Sequence, residues 1–300
     1  MVHCFYADHF VLPLPDGHGF PMAKYRHLRD QVAAWHPLGF RLLEAPRASL
    51  AALEAVHAAD YVHAVLNGSL DAARLRRIGF PWSPFMAERA RRTVGGTLAA
   101  VEAARQHGVG VNLAGGTHHA HRDRGGGYCV FNDLAVAACR LLDTGQAGRV
   151  AIIDLDVHHG DGTAAIFSAE PRVWTLSVHG EKIYPAIKPP SDLDIPLPAG
   201  VGDEAYLRAL LPALERTFAE FRPEFVLYQA GADPYEGDRL GQFKLTMTGL
   251  ARRDKAVLDA CSRHQVPLAI TMGGGYANRI EDIVRIHANT IRLAQLINAR

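Results

Sequence analysis

The stretch that decides the fold is VAIIDLDVHHGDGT, residues 150–163. It opens as a buried β-strand and then sets Asp154, Asp156, His158, His159 and Asp161 one after another. Charge buried without partners is costly, so other parts of the chain must compensate this cluster.

The same pattern recurs along the chain. Short apolar runs end in Gly, His or Asp at 108–121 (GVGVNLAGGTHHAH), 149–162, 172–180 (RVWTLSVHG), 223–234 (PEFVLYQAGADP) and 266–276 (VPLAITMGGGY). Between them lie helix-like stretches at 132–142, 203–221 and 246–263. Asp203 and Thr246 read as N-caps, and Pro223 and Pro267 fall just past helix ends. Strands alternating with helices of this length predict βαβ units and a parallel sheet covered on both faces. Ligands bind such sheets beyond the carboxyl ends of the strands, so the five polar clusters should meet at one rim. The first hundred residues read as helices and loops around the same sheet, for example HAADYVHAVLNGS and MAERARRTVGGTLAAVEAARQHG.

The 300 residues are 48% hydrophobic and 21% charged, with a formal net charge of +1. That balance gives no global attraction to nucleic acid or anionic membranes. Arg74, Arg76 and Arg77, and Arg89, Arg91 and Arg92, read as solvated helix faces. Cys4, Cys129, Cys139 and Cys261 form no CxxC pair, which argues against a thiolate zinc site or a redox motif and suits a reducing compartment. No secretory signal and no apolar run of about 20 residues is visible, so a cytoplasmic protein without a membrane span is expected. There is no repeat, low-complexity segment or obvious linker.

Alternate residues of a strand share a face, so Asp154, Asp156 and His158 point one way if the strand persists through them. Carboxylate and imidazole suit zinc or iron(II), and a catalytic site takes a third protein ligand. Asp233, at the end of another strand, is the candidate, and Asp154 would orient a neighbour. A buried Asp–His network without metal is the alternative. His118 and His119 follow two glycines, and a histidine can serve as both general base and general acid. Their Nδ1 atoms need carboxylate partners, for which Asp154 and Asp161 are the candidates. His121 and His159 receive no role. Tyr276, after three glycines, could present its phenol to the oxyanion of a tetrahedral intermediate; a packed tyrosine in a glycine-rich turn is the other meaning.

Together, GGTHHAHRDRGGGYCVFND, IIDLDVHHGDGT, AGADPYEGDRLG and GGGY resemble the zinc-dependent histone deacetylase family of the arginase–deacetylase superfamily, closest to class IV and its bacterial relatives. The resemblance runs from about Leu14 to near the last residue. It implies a three-layer α/β/α catalytic domain over 1–300 with a central, mostly parallel eight-stranded sheet. It implies zinc, or iron(II), on Asp156, His158 and Asp233. His118 and His119 would be the histidine pair, with His119 as base and acid, Asp154 and Asp161 their partners, and Tyr276 the carbonyl-polarising phenol. Gly127 and Tyr128 match the loop that lines an acyl-lysine tunnel. A structural potassium ion is implied near Asp154, Asp156, His158, Ser177 and Val178. The implied substrate is an acyl-lysine protein or peptide, or a small acylated amine, with no direct nucleic-acid partner; the oligomeric state stays open.

Two departures bear on substrate. Many of the family's lysine deacetylases carry a rim aspartate where this chain has GFPWSPF, with Pro81 and Trp82. Its polyamine deacetylases carry a glutamate where this chain has Leu240, which favours an acyl-lysine-like substrate. A two-metal ureohydrolase on the same fold would need a paired-aspartate motif where this chain has only GADP. A non-catalytic acyl-ligand binder would have no use for His118, His119 and Tyr276.

Overall fold

The apolar runs become eight strands in the computed structural model, which describes residues 1–35 and 39–298. They are β1 (Val2–Tyr6), β2 (Phe40–Glu44), β3 (Val109–Asn112), β4 (Val150–Asp154), β5 (Val173–Gly180), β6 (Leu193–Leu197), β7 (Phe225–Gln229) and β8 (Leu268–Thr271). They form one sheet in the order β2-β1-β3-β8-β7-β4-β5-β6. Every neighbouring pair is parallel. The last two strands of the chain therefore occupy the middle of the sheet, between β3 and β4.

The helices are α1 (Lys24–Ala33), α2 (Leu50–Glu54), α3 (Ala59–Asn67), α4 (Ala72–Ile78), α5 (Pro84–His107), α6 (Asp133–Asp143), α7 (Asp161–Phe167), α8 (Asp203–Arg216), α9 (Met247–His264) and α10 (Ile280–Asn298). They cover both faces. Ala151 and Ile153 of β4 join a core with Leu28 of α1, Val257 of α9 and Ile283 of α10. Val150 and Ile152 join the opposite core with Val94 of α5 and Leu134 of α6. Burial on both sides explains why β4 reads as an unbroken apolar run rather than an alternation.

Local sequence sets the helix ends. The Ser83 hydroxyl accepts from Met86 N, Pro84 fills the first turn, and Gly108 ends α5. This helix packs so closely that a Cβ at Gly95 would lie 1.9 Å from Pro46 O. Thr246 caps α9 by accepting from Gly249 N. Asp203 is not an N-cap: Gly202 holds that position. The Asp203 carboxylate instead accepts from Thr246 N and Oγ1 at 2.8 and 2.7 Å, tying the starts of α8 and α9 together. The helix expected over 203–221 changes geometry, from α8 to a π-helical turn at Thr217–Phe221.

Two further sequence readings need correction. β1 and β2 lie in the region read as helices and loops; each is only five residues long, β1 is interrupted by His3 and β2 is part-exposed, so neither gives a long apolar run. Pro196 sits within β6, which is tolerable because β6 is an edge strand. Arg89 does not face solvent. It is buried, 4.2 Å from the Tyr25 ring centre, and donates to the carbonyls of Ala7 and Phe10.

Arg253 on α9 is fully buried behind the sheet's carboxyl rim. It pairs with Asp254 at 2.7 Å and donates to Leu155 O at 3.1 Å and Gly231 O at 2.6 Å. One guanidinium thus grips the chain beside both Asp156 and Asp233. Removing one member of a buried pair leaves the other charge uncompensated, at about 3–5 kcal/mol. Arg253→Met is expected to lower the urea-unfolding free energy by that order, with an unchanged m-value. A loss below about 1 kcal/mol would show that the pair carries little.

Candidate active site

β4 ends at Asp154, so the strand does not persist through Asp156 and His158 as the alternation argument required. Side chains bend the chain instead. Asp154 Oδ1 accepts from Asp156 N at 3.1 Å, and Asp156 Oδ1 accepts from His158 N at 3.0 Å. These Asx turns still bring Asp156 and His158 together at the strand's carboxyl end. Asp233, beyond β7, accepts from Val157 N at 2.9 Å and is fully buried. Asp156 Oδ2 accepts from Gly274 N at 2.8 Å. A Cβ at Gly274 would sit 2.0 Å from Asp233 Oδ2, so only glycine admits both carboxylates here.

Asp156, His158 and Asp233 each offer one ligand atom, all within 4.8 Å of one another. His158 Nδ1 is 3.1 Å from Asp156 Oδ1 and 3.2 Å from Asp233 Oδ2. Ligands about 2.0–2.2 Å from a tetrahedral ion stand roughly 3.3 Å apart, so the donor set fits a zinc-sized cation. The charge balance agrees. Burial and the neighbouring Asp156 charge push Asp233 up to about 7. Burial opposes charge on His158, yet the two carboxylates outweigh it and raise that ring to about 10. Two carboxylates in one buried pocket call for a positive centre between them.

The histidine pair stands beside this set. His118 Nδ1 is 2.7 Å from Asp154 Oδ2, and His119 Nδ1 is 2.6 Å from Asp161 Oδ1. Burial disfavours charge on His118, but Asp154 and Asp156 prevail and raise it to about 9. Burial and the His118 charge push His119 down to about 3. One ring is thus held charged and the other neutral. His121, given no role by sequence, shares Asp161 through its other oxygen at 2.9 Å. Burial favours a neutral Asp161, but hydrogen bonds from His119 and His121 hold it well below the usual carboxylate range.

A cavity of about 530 Å³ opens over these groups. Phe20, Tyr128, Tyr184 and Tyr276 wall it, with Leu240 exposed at its mouth. The Phe20 and Tyr128 rings lie 5.1 Å apart, and Tyr128 and Tyr276 5.9 Å apart. Gly127 and Tyr128 both adopt positive φ, +51° and +65°, which turns this loop against His119. Arg76 and Arg77, exposed on α4, also border the cavity. Trp82 turns away from it and donates to Val65 O at 2.8 Å. Ser177, of the implied potassium group, lies opposite Asp154 in the β4–β5 register, with Val178 next to it.

Several supporting residues escaped the sequence reading. Asp133 accepts from Gly116 N, Thr117 N and Thr117 Oγ1, fixing the loop before the histidine pair. Gln229 reaches His118 Nδ1 at 3.1 Å and Asp156 Oδ2 at 3.3 Å. Lys24 is buried, donates to Gly273 O and Gly275 O, and lies 5.3 Å from the Tyr276 ring centre. Asp238 accepts from Tyr276 N at 2.6 Å. The VFND run next to the histidine motif was the visible signal for Asp133; nothing comparable marks Lys24 or Gln229.

His57 braces the same loop. Its Nδ1 bonds His121 O, and its Nε2 accepts from Asn132 N, both at 2.9 Å. Only the neutral ring can do both. Burial pushes it down to about 4, against 6.5 when unfolded. The unfolded chain takes up the proton first, so stability is full above pH 6.5 and falls as pH drops towards 4. The contribution is on the order of 2–3 kcal/mol. Unfolding midpoints from pH 7 to 4.5 should fall less steeply in His57→Gln than in the unmutated protein; equal slopes would remove His57 from the acid response.

A family model described as "Histone deacetylase domain" matches residues 18–291. An uncharacterized protein from Picosynechococcus is 43% identical over 291 residues, covering 97% of each chain. Histone deacetylase 2 of Arabidopsis thaliana is 31% identical over 271 residues, covering 86% of this chain and 69% of its own. The crystal structure of an HDAC homolog from Aquifex aeolicus is similar with a TM-score of 0.83 at 25% identity, covering 98% of this chain and 84% of its own.

Proposed function

The chain belongs to the histone deacetylase family, and from that premise we propose that residues 1–300 act as one metal-dependent deacylase domain that removes acetyl or longer acyl groups from lysine side chains. The observation that carries this reading is the meeting of three kinds of group at one cavity: the Asp156–His158–Asp233 set, the two His–Asp pairs and Tyr276. A binder needs the first; only a hydrolase needs all three.

Asp156, His158 and Asp233 would hold a divalent ion, zinc or iron(II), which when bound would supply Lewis acidity to the amide carbonyl and to the attacking water. His119 is kept neutral and anchored through Nδ1 to Asp161, so its Nε2 can take a proton from water and return it to the departing amine. His118, held charged by Asp154, adds positive potential beside the developing oxyanion. Tyr276 donates a hydrogen bond from its phenol to that oxyanion. The aromatic walls suit the methylene stem of a lysine side chain, and Gly127 and Tyr128 shape the passage. Leu240 at the mouth offers no charge to a cationic polyamine. Asp154, Asp156, His158, Ser177 and Val178 would be the residues to hold a potassium ion, which would tie β4 to β5 where Asp154 and Ser177 lie opposite each other.

The test is hydrolysis by zinc-loaded protein of acetyl-, octanoyl- and myristoyl-lysine peptides alongside acetylated polyamines. Preference for a lysine peptide is expected, with the acyl-length optimum reporting tunnel depth. Preference for polyamines overturns the Leu240 argument, and no turnover with metal bound overturns the deacylase reading.

A further inference from the structure

The described residues hold a second group of metal-type ligands that the deacylase chemistry does not use. His159 lies in the turn after β4, His179 near the end of β5 and Asp194 on β6. Each offers one ligand atom, and these atoms lie within 4.8 Å of one another. Both imidazoles are buried, with ring centres 4.6 Å apart and planes nearly perpendicular.

The hydrogen bonds show which atoms are engaged. Asp194 Oδ2 accepts from Ser191 N at 2.9 Å. Asp194 Oδ1 is buried with no hydrogen-bond partner, although His159 Nε2 is only 3.3 Å away. His159 Nε2 has Ser191 Oγ as its hydrogen-bond partner and the ring nitrogen left without one is Nδ1, so Nε2 and Asp194 Oδ1 form a bare ion-pair contact that a cation between them would replace. Their separation matches the roughly 3.3 Å edge of a tetrahedral zinc site. His179 Nδ1 is 3.0 Å from Ser177 Oγ, which orients the ring and leaves Nε2 to ligate. Ser191 Oγ, also 3.3 Å from His159 Nε2, stands where a fourth ligand or a bridging water belongs.

We propose that His159, His179 and Asp194 form a second, structural site for a divalent transition metal such as zinc, separate from Asp156, His158 and Asp233. Two imidazoles and one carboxylate are a recurrent donor set for zinc and iron(II). The part-exposed Asp194 gives an ion a way in. Once bound, the ion fastens edge strand β6, which among the described residues pairs only with β5, to the turn that carries His158.

The test counts zinc. Protein stripped with chelator, reloaded with zinc and dialysed is expected to hold two zinc per chain by elemental analysis. Asp194→Asn and His179→Gln should each hold one. Asp233→Asn should also hold one, and zinc should still raise its Tm by several degrees. The Asp233→Asn/Asp194→Asn double variant should hold none and show no shift. One zinc in the unmutated protein that vanishes in Asp233→Asn overturns the proposal. So do two zinc retained in both Asp194→Asn and His179→Gln. Asp194→Asn is nearly isosteric at a strand edge, so its result stands even if His179→Gln misfolds. One zinc lost in Asp194→Asn but kept in Asp233→Asn would support this site and count instead against the catalytic metal set.

Discussion

Asp233→Asn is expected to lose one zinc per chain and to cut kcat/KM on the best acyl-lysine peptide by roughly 10³-fold or more, the loss of several kcal/mol of Lewis-acid stabilisation. The substitution is conservative in shape. Its carbonyl can still accept from Val157 N, as Asp233 Oδ1 does at 2.9 Å. The change falls on Oδ2, which faces His158 Nδ1 at 3.2 Å, where an amide presents a donor in place of a charged acceptor. Burial, and after it the neighbouring Asp156 charge, pushes Asp233 up to about 7, so a neutral amide there relieves both the buried charge and the repulsion. Chelator-stripped Asp233→Asn should therefore be at least as stable to heat as the stripped unmutated protein, although it is inactive. Turnover within tenfold of the unmutated enzyme, with the zinc gone, would remove Asp233 from the chemistry.

Tyr276→Phe is expected to lower kcat by roughly 10²–10³-fold, with zinc content and Tm close to unchanged. The prediction is sharp because the ring's position does not depend on its hydroxyl. The backbone at Tyr276 is held by Asp238, which accepts its N–H, and by Arg239 Nε, which donates to its carbonyl at 2.8 Å. Lys24 holds the carbonyls of Gly273 and Gly275 in the run just before it. Deleting the oxygen should leave this frame standing and remove only the donor. Burial and the charges of Asp156 and Asp233 keep the phenol well above its ordinary range, so it stays protonated at neutral pH. A kcat equal to that of the unmutated protein would end this role for the phenol.

The parallel sheet was legible because its inner strands, such as Ile152 and Ile153 of β4, are buried on both faces and end in polar clusters at the same rim. The grouping of Asp156, His158 and Asp233 was legible for the same reason, since these residues follow strand ends directly. The route was not: alternation along a strand suggested a shared face, whereas Asx turns made by Asp154 and Asp156 bring the groups together. Charged residues on helices hid best. Lys24, Arg89 and Arg253 look like solvent-facing positions, and their burial depends on carbonyls supplied by segments far away in sequence. Arg253, for instance, meets Leu155 O across 98 positions. The apolar period of a helix carries no trace of such a partner. Asp203 failed as a cap for a related reason, its carboxylate being drawn to a different helix.

The order of the strands has a consequence for how the chain is made. Until β7 and β8 emerge, the nascent protein can form only two separate ribbons, β2-β1-β3 and β4-β5-β6, each with a raw inner edge. At ordinary rates of translation, the wait between β3 and β8 is on the order of ten seconds. Unpaired edges of this kind are templates for pairing with the wrong chain. A chain that stops before Leu268 therefore carries two half-sheets with unpaired inner edges, and covering those edges during synthesis guards against pairing with the wrong chain.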